Sequence, residues 1–556
     1  MHIRKSTWTV LSLVTLLVAI VLLVSAGWAR SSLAPDWKLQ DHWDSWKGHL
    51  PFVGGSKPSN GTGSMSGGTP IADEPGITPD VPAKGTTTPN YTDISIKDEG
   101  LRKKLSELLA RPIRTHKEAL AFNVQACPIE VADKQVNQDQ LRGNSAFWER
   151  ITTDEISQRR RAIVGYLEAV EKDGAELVLR GNSAFWERIT TDEISQRRRA
   201  IVGYLEAVEK DGAELVANGR IPKGRGIVMT GGNKDTVQRI LVSLRILRHE
   251  YKCKLGVEVF SFPGEITNQN DVRALGDLGA TVQELSEFAK VDGAWKNFQI
   301  KAAAIAKSSF AKSSFGEVLY LDSDNIPLSD PSILFEEPLY RNGSRAVFWP
   351  DFNKDHPQNA IWRVLGVGCN YGRWELESGQ ILIDKRGNGG LNLAALYVAV
   401  HMAHEQSFYY MLSGGDKDTF RYAFWALGLD YTPAPRWLSS LGSENQGRFC
   451  GVGMLQYGLS DPPKPQFAHL NLLKHTFRIK PIFTTIQRAA IDSADSRLLD
   501  RTIANVYTPP TGGMCAEIKV DGPAPEQKLM QESWTGGEFS GFEDMYFKHG
   551  GTVGGW

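Results

Sequence analysis

Glu317-Val-Leu-Tyr-Leu-Asp322-Ser-Asp324-Asn-Ile-Pro327 is the stretch on which the reading of this chain turns. Glu317 to Leu321 is mostly apolar and β-prone, which suits an interior strand of an α/β sheet. The strand ends by presenting two carboxylates one residue apart, and Pro327 stops further strand pairing. Open α/β sheets bind ligands at the C-terminal ends of their strands. Two converging carboxylates there suit a hard divalent cation, which keeps positions open for water and substrate phosphates. The bland alternative is a pair of solvated loop acids or turn caps. An EF-hand is excluded, because its loop needs Gly at the sixth position, where this chain has Pro327.

Working upstream, Gly226-Ile-Val-Met-Thr230-Gly231-Gly232 reads as a strand running into a glycine turn. A helix with Val237, Ile240, Leu241, Leu244 and Leu247 on one face follows. Strand, glycine turn and helix N-terminus form a natural cradle for a nucleotide's phosphates or ribose. Thr230, Gly231 and Gly232 are therefore candidate donor-binding residues, with an ordinary tight βα turn as the alternative. The glycines fit neither a GxGxxG nor a P-loop pattern. Leu255 to Phe262 reads as the next strand, and strands alternating with helices predict an α/β fold with a largely parallel sheet.

Downstream lie Phe348-Trp-Pro-Asp-Phe352, Glu377-Ser-Gly-Gln380, a helical stretch from Leu391 to about Met411, and Gly415-Asp416-Lys-Asp418-Thr-Phe-Arg421. Asp416 and Asp418 either cap the helix that follows or hold a sugar hydroxyl or assist catalysis. Phe467-Ala-His469-Leu-Asn-Leu-Leu-Lys474-His475 brings together groups suited to phosphate or metal, though a lone histidine is also at home in a purely structural role.

The whole chain sets the bounds. With 63 Lys+Arg against 64 Asp+Glu its net charge is −1, so no basic field exists to bind nucleic acid. Basic residues precede an uncharged apolar stretch that runs to Ala29. That length suits a membrane-crossing signal anchor, with cleavage after it as the other reading. The expected organisation is a cytoplasmic tail at 1–7, a transmembrane anchor at 8–28 and a flexible lumenal stem at 29–95. A helical region at 96–216, a catalytic domain at 217–480 and an extension at 481–556 complete it. Asn60, Asn90 and Asn342 head glycosylation sequons. Five cysteines predict one or two disulfides with at least one thiol left over. Leu141–Val178 recurs without a change as Leu179–Val216, and Ala306–Phe310 recurs as Ala311–Phe315. Each long copy predicts a helix, in the first with a Thr152-x-x-Glu155 capping box and a stop at Gly174.

Taken in order across about 217–480, these motifs resemble those of the fungal α-mannosyltransferases of glycosyltransferase family 71, the α-1,2-mannosyltransferases that branch cell-wall mannan. The resemblance implies a GT-A-type nucleotide-sugar-binding fold with a mixed, largely parallel sheet, behind a single N-terminal transmembrane helix in the Golgi. It implies GDP-mannose as donor, Mn2+ (or Mg2+) as cofactor, a mannan or N-glycan acceptor, retention of configuration and membership of a mannosyltransferase complex. Carried onto this sequence, Asp322, Asp324 and His469 are the expected metal ligands. Asp322 and Lys474 serve the donor diphosphate, and Glu377, Asp416 and Asp418 are the carboxylates able to stabilise oxocarbenium-like charge. The competing readings are another linkage or a UDP-sugar on the same fold, and a catalytically silent glycan-binding or scaffold subunit.

Overall fold

The computed structural model describes residues 94–124, 127, 185–217, 224–286, 299–307, 315–370, 373–445, 447–476, 481–489, 502–507, 514–520, 529–535 and 539–554. The expected tail and anchor, the stem up to residue 93, the sequons Asn60 and Asn90, and the first long repeat copy lie outside these residues. Among the described residues no helix is long and apolar enough to cross a membrane. All of them belong to one compact unit spanning Thr88–Trp556.

The strands in chain order are β1 (Gly224–Thr230), β2 (Gly256–Ser261), β3 (Ala280–Glu284), β4 (Phe315–Leu321), β5 (Asn325–Pro327), β6 (Ala346–Lys354), β7 (Trp374–Asp384) and β8 (Thr432–Pro433). β9 (Ser439–Asn445), β10 (Arg448–Tyr457), β11 (Pro465–His469), β12 (Thr485–Ala489), β13 (Thr502–Tyr507), β14 (Cys515–Val520) and β15 (Leu529–Ser533) follow. The helices that matter are α1 (Glu99–Ala110), α2 (Thr191–Lys210), α3 (Lys234–Arg245), α4 (Ile300–Lys307), α5 (Leu391–His404), α6 (Gln406–Ser413), α7 (Thr419–Ala426) and α8 (Phe542–Lys548).

One sheet has seven strands in the order β3-β2-β1-β4-β7-β6-β8. Strands β3, β2, β1 and β4 are mutually parallel, β7 runs against β4 and β6, and β6 is parallel to β8. A mixed, largely parallel sheet describes this half of the molecule. The other half departs from that expectation: a second sheet of eight strands is antiparallel at every pairing. β12 to β15, which lie beyond residue 480 in the expected C-terminal extension, belong to this second sheet.

Two-residue alternation decides which face each side chain covers. Val318, Tyr320, Ile381 and Ile383 point to the side packed by α4, α5 and α7. Leu319, Leu321, Ile227, Met229 and Leu382 point to the other side, under α3. Each fully buried aliphatic side chain contributes about 1.5–3 kcal/mol. Gly226 admits the ring of Phe315, since a Cβ there would lie 2.2 Å from it. The helix expected from Leu391 to Met411 is two helices, α5 and α6, because Glu405 leaves the helical region at φ −93°, ψ 36°.

The second repeat copy supplies α2. Thr190 caps it by accepting from the Glu193 N–H, and Ile194, Ile201 and Leu205 are buried. Arg198, also buried, donates to the carbonyls of Arg111, Pro112, Arg363 and Val364 and so pins the helix in place. Disulfides Cys127–Cys369 and Cys450–Cys515 leave Cys253 as a buried thiol. Asn342, at the end of a short helix, is exposed.

Candidate active site

Strand pairing assembles the site. Asp322 follows β4, and its N–H donates to the Gly379 carbonyl on β7 at 2.9 Å. Asp324 precedes β5, whose register with β11 sets Asn325 opposite His469. The Leu470 N–H closes this corner on the Asp324 carbonyl at 2.9 Å. Asp322, Asp324 and His469 thereby bring one ligand atom each to within 4.8 Å of one another. His469 Nε2 lies 3.3 Å from Asp324 Oδ1 and 3.8 Å from Asp322 Oδ2.

The imidazole is held from behind. His469 Nδ1 meets Glu377 Oε2 at 2.5 Å, and the other oxygen of Glu377 accepts from Gln380 and, at 2.9 Å, from Gln456. Gly379 makes room for this pair: a Cβ would lie 2.3 Å from His469 Nδ1 and 2.8 Å from Glu377. Two carboxylates and an imidazole whose far nitrogen rests on a buried carboxylate fit a divalent cation by donor type and by outer-shell support.

Three cations compensate the acids. Lys474, on the turn Leu473–His475, donates to Asp324 Oδ2 at 2.7 Å. Burial pushes the Asp324 carboxyl up, but Lys474 and His469 outweigh it and hold the group well below the usual carboxylate range. Burial pulls His469 down, but Glu377 and Asp324 together push it up to about 10. The third cation, Lys301 on α4, lies 3.0 Å from Asp322 and 2.8 Å from Asp416. Those two carboxylates outweigh burial and keep it charged.

The expected site residues separate by position. Thr230 shares a 2.7 Å hydrogen bond with the Tyr320 hydroxyl, which donates to Asp322 Oδ1 at 2.7 Å, so Thr230 is tied to the acids. The Gly231 N–H donates to the Phe260 carbonyl at 3.0 Å, and the Gly232 N–H to Thr236 Oγ1 at 3.1 Å. The first of these bonds continues the β1–β2 pairing and the second closes the βα turn. Asp416 joins the cluster through Lys301 and, at 3.0 Å, through the Ser378 hydroxyl. Asp418 does not: wholly buried, it accepts from the Leu376 N–H and Lys417 and forms an ion pair with Arg421, within a framework that extends to Asp355. It makes no side-chain cap on α7.

Lys301, Tyr320, Ser378 and Gly379 escaped sequence reasoning. Lys301 did carry a signal. Ile300-Lys-Ala-Ala-Ala-Ile-Ala306 is buried throughout and has no solvent side, so its single ammonium needs acidic partners.

Comparison with known proteins bears on this sheet and site. The family model described as "Mannosyltransferase putative" matches residues 224–366 and 372–458. That region holds Lys301, Asp322, Asp324, Glu377 and Asp416, while His469 and Lys474 lie beyond it. Alpha-1,2-mannosyltransferase MNN24 of Candida albicans is 27% identical over 282 residues, covering 42% of this chain and 38% of the relative. Alpha-1,2-mannosyltransferase MNN21 of the same organism is 32% identical over 209 residues, covering 29% of this chain and 30% of the relative. The chain spans less than half the length of the curated relatives it matches. Among solved structures, the galactosyltransferase LgtC in complex with donor and acceptor sugar analogues aligns with a TM-score of 0.28 at 13% identity, over 38% of this chain and 73% of that one. In sequence, the chain resembles the fungal α-1,2-mannosyltransferases.

Proposed function

We propose that the chain is a divalent-cation-dependent, retaining mannosyltransferase of GT-A type. It would transfer mannose from GDP-mannose to a mannan or N-glycan outer-chain mannose in α-1,2 linkage. The carrying observation is the convergence of Asp322, Asp324 and His469 where β4 ends, with Lys474 already on Asp324. The sequence resemblance supports mannosyl transfer and the 1,2 linkage, and the apolar stretch at 8–28 supports a single-pass type II anchor in the Golgi with a lumenal catalytic domain. Asn342, exposed on that domain, fits glycosylation in the same compartment.

Asp322, Asp324 and His469 would hold the cation, manganese in this reading, and a cation there neutralises charge on a departing diphosphate. Lys474 is placed to exchange Asp324 for a phosphate oxygen of the donor. Glu377 fixes the His469 ring and so is a positioning residue rather than a sugar-facing carboxylate. Asp416, joined to Asp322 through Lys301, is the carboxylate suited to oxocarbenium-like charge. The acceptor hydroxyl oxygen bonds to the anomeric carbon as the bond from that carbon to the diphosphate oxygen breaks. The hydroxyl proton leaves with the diphosphate.

Donor identity is tested by thermal shift in Mn2+ with GDP-mannose, GDP, UDP-glucose and UDP-galactose. The proposal expects stabilisation by the guanosine nucleotides alone. Stabilisation by the uridine nucleotides alone would replace mannose with another sugar.

A further inference from the structure

Lys301 sits between the two halves of the site and contacts five acceptors. Asp322 Oδ1 lies at 3.0 Å, Asp322 Oδ2 at 3.1 Å, the Ser378 carbonyl at 3.1 Å, the Ser378 hydroxyl at 2.9 Å and Asp416 Oδ2 at 2.8 Å. An ammonium group has three N–H donors, so this one is saturated by protein groups and has none left for a donor phosphate. Its side chain is 4% exposed and rises from a helix buried along its length. Such a group cannot swing away to follow a ligand. Lys474, 18% exposed and on a short turn, differs from it in this respect.

We infer that Lys301 is a positioning residue that locks Asp416 to Asp322, so that the sugar-facing carboxylate and the cation-binding carboxylate move as one unit. This rests on the reading of the site given above. Ser378 completes the lock, because its hydroxyl donates to Asp416 while its carbonyl accepts from Lys301. Without the ammonium, Asp416 loses one of the two groups on its Oδ2 and is no longer aimed. Asp322 keeps its Tyr320 hydrogen bond and its place beside Asp324 and His469. Removing Lys301 therefore separates two properties that a merely structural ion pair would lose together. Cation binding should persist or tighten, because a repelling positive charge is gone, while turnover falls.

The experiment compares wild type, Lys301→Met, Asp416→Asn and the double variant. Mn2+ affinity is read by EPR titration, folding by thermal melting in Mn2+, and kcat and donor KM by transfer to α-mannobiose. Lys301→Met should lower kcat by about 10–100-fold, the usual cost of losing a supporting partner, with donor KM nearly constant. Its Mn2+ affinity should equal or exceed wild type. On the Asp416→Asn background the same substitution should cost less than about threefold, because the residue it positions is already gone. Should Lys301→Met alone not fold, the charge-balanced double variant set against Asp416→Asn still decides, and a further loss of tenfold or so would overturn the inference. Weakened Mn2+ binding in Lys301→Met, or kcat within about threefold of wild type, would also overturn it. A wild-type protein that binds Mn2+ but transfers no sugar refutes the functional reading instead, and the Mn2+ affinity of Lys301→Met then decides the placement of the ammonium.

Discussion

Raising the pH from 6.5 to 8.5 should strengthen cation binding and weaken the cation-free protein, both through His469. Burial alone would lower its pKa below the usual 6.5, but Glu377 at 2.5 Å and Asp324 at 3.3 Å push it up to about 10. The imidazolium has to lose its Nε2 proton before that nitrogen can ligate. At pH 7 roughly one ring in a thousand is neutral, and the neutral fraction grows about tenfold per pH unit. Asp324 and Glu377 are both held below the ordinary carboxylate range, so they stay ionised across the window and add no slope. Two pH units should therefore improve Mn2+ affinity about 100-fold. The stability sign is opposite. A group whose folded pKa is raised stabilises fully below its unfolded value and loses that contribution as pH rises through the folded one. Here the loss runs from about 6.5 to about 10 and amounts to at most ~5 kcal/mol. EPR titrations with Mn2+ at pH 6.5, 7.5 and 8.5, and melting in EDTA at the same values, measure both arms. His469→Gln should flatten both. Mn2+ affinity that changes less than about threefold over the range, or a His469→Gln slope equal to wild type, would refute the reasoning.

Gly379→Ala should fold yet lose about 10–100-fold in Mn2+ affinity, because the new Cβ displaces the His469–Glu377 pair; unchanged affinity would contradict the packing. Asp418→Asn should cost about 3–5 kcal/mol by chemical denaturation, since it leaves the buried Arg421 and Lys417 short of a partner, whereas Asp416→Asn should leave stability much closer to wild type. Replacing Cys127 and Cys369 with serine opens a link between residues 242 apart and should lower stability by about 3–5 kcal/mol, read by thermal melting under non-reducing conditions. Deleting residues 141–178 or 179–216 yields the same sequence. Because the described core takes α2 from one copy, that deletion should change stability by less than about 0.5 kcal/mol and leave turnover intact.

The βα half of the molecule was legible because its strands are short apolar runs separated by amphipathic helices, and β1, β2 and β4 stand within a residue or two of their expected bounds. The antiparallel sheet was not. Its strands β12 to β15 mix polar and apolar residues, and partners such as Cys450 and Cys515 meet across 65 residues. The site shows the same division. Asp322 and Asp324 announce themselves by local pattern. Glu377 gave no local sign of standing behind His469, because 92 residues separate the two and they stand on strands of different sheets, β7 and β11. Asp416 and Asp418 look equivalent in the sequence. Packing distinguishes them by turning one toward Lys301 and the other toward Arg421.

The most direct test incubates a soluble chain beginning near Ile94 with labelled GDP-mannose and α-mannobiose, in Mn2+ or in EDTA, beside its Asp324→Asn variant. The account predicts an elongated product in Mn2+ that α-1,2-specific mannosidase removes, and none in EDTA or from the variant. Product formed equally well in EDTA, or by Asp324→Asn at near wild-type rate, would contradict a cation held by Asp322, Asp324 and His469.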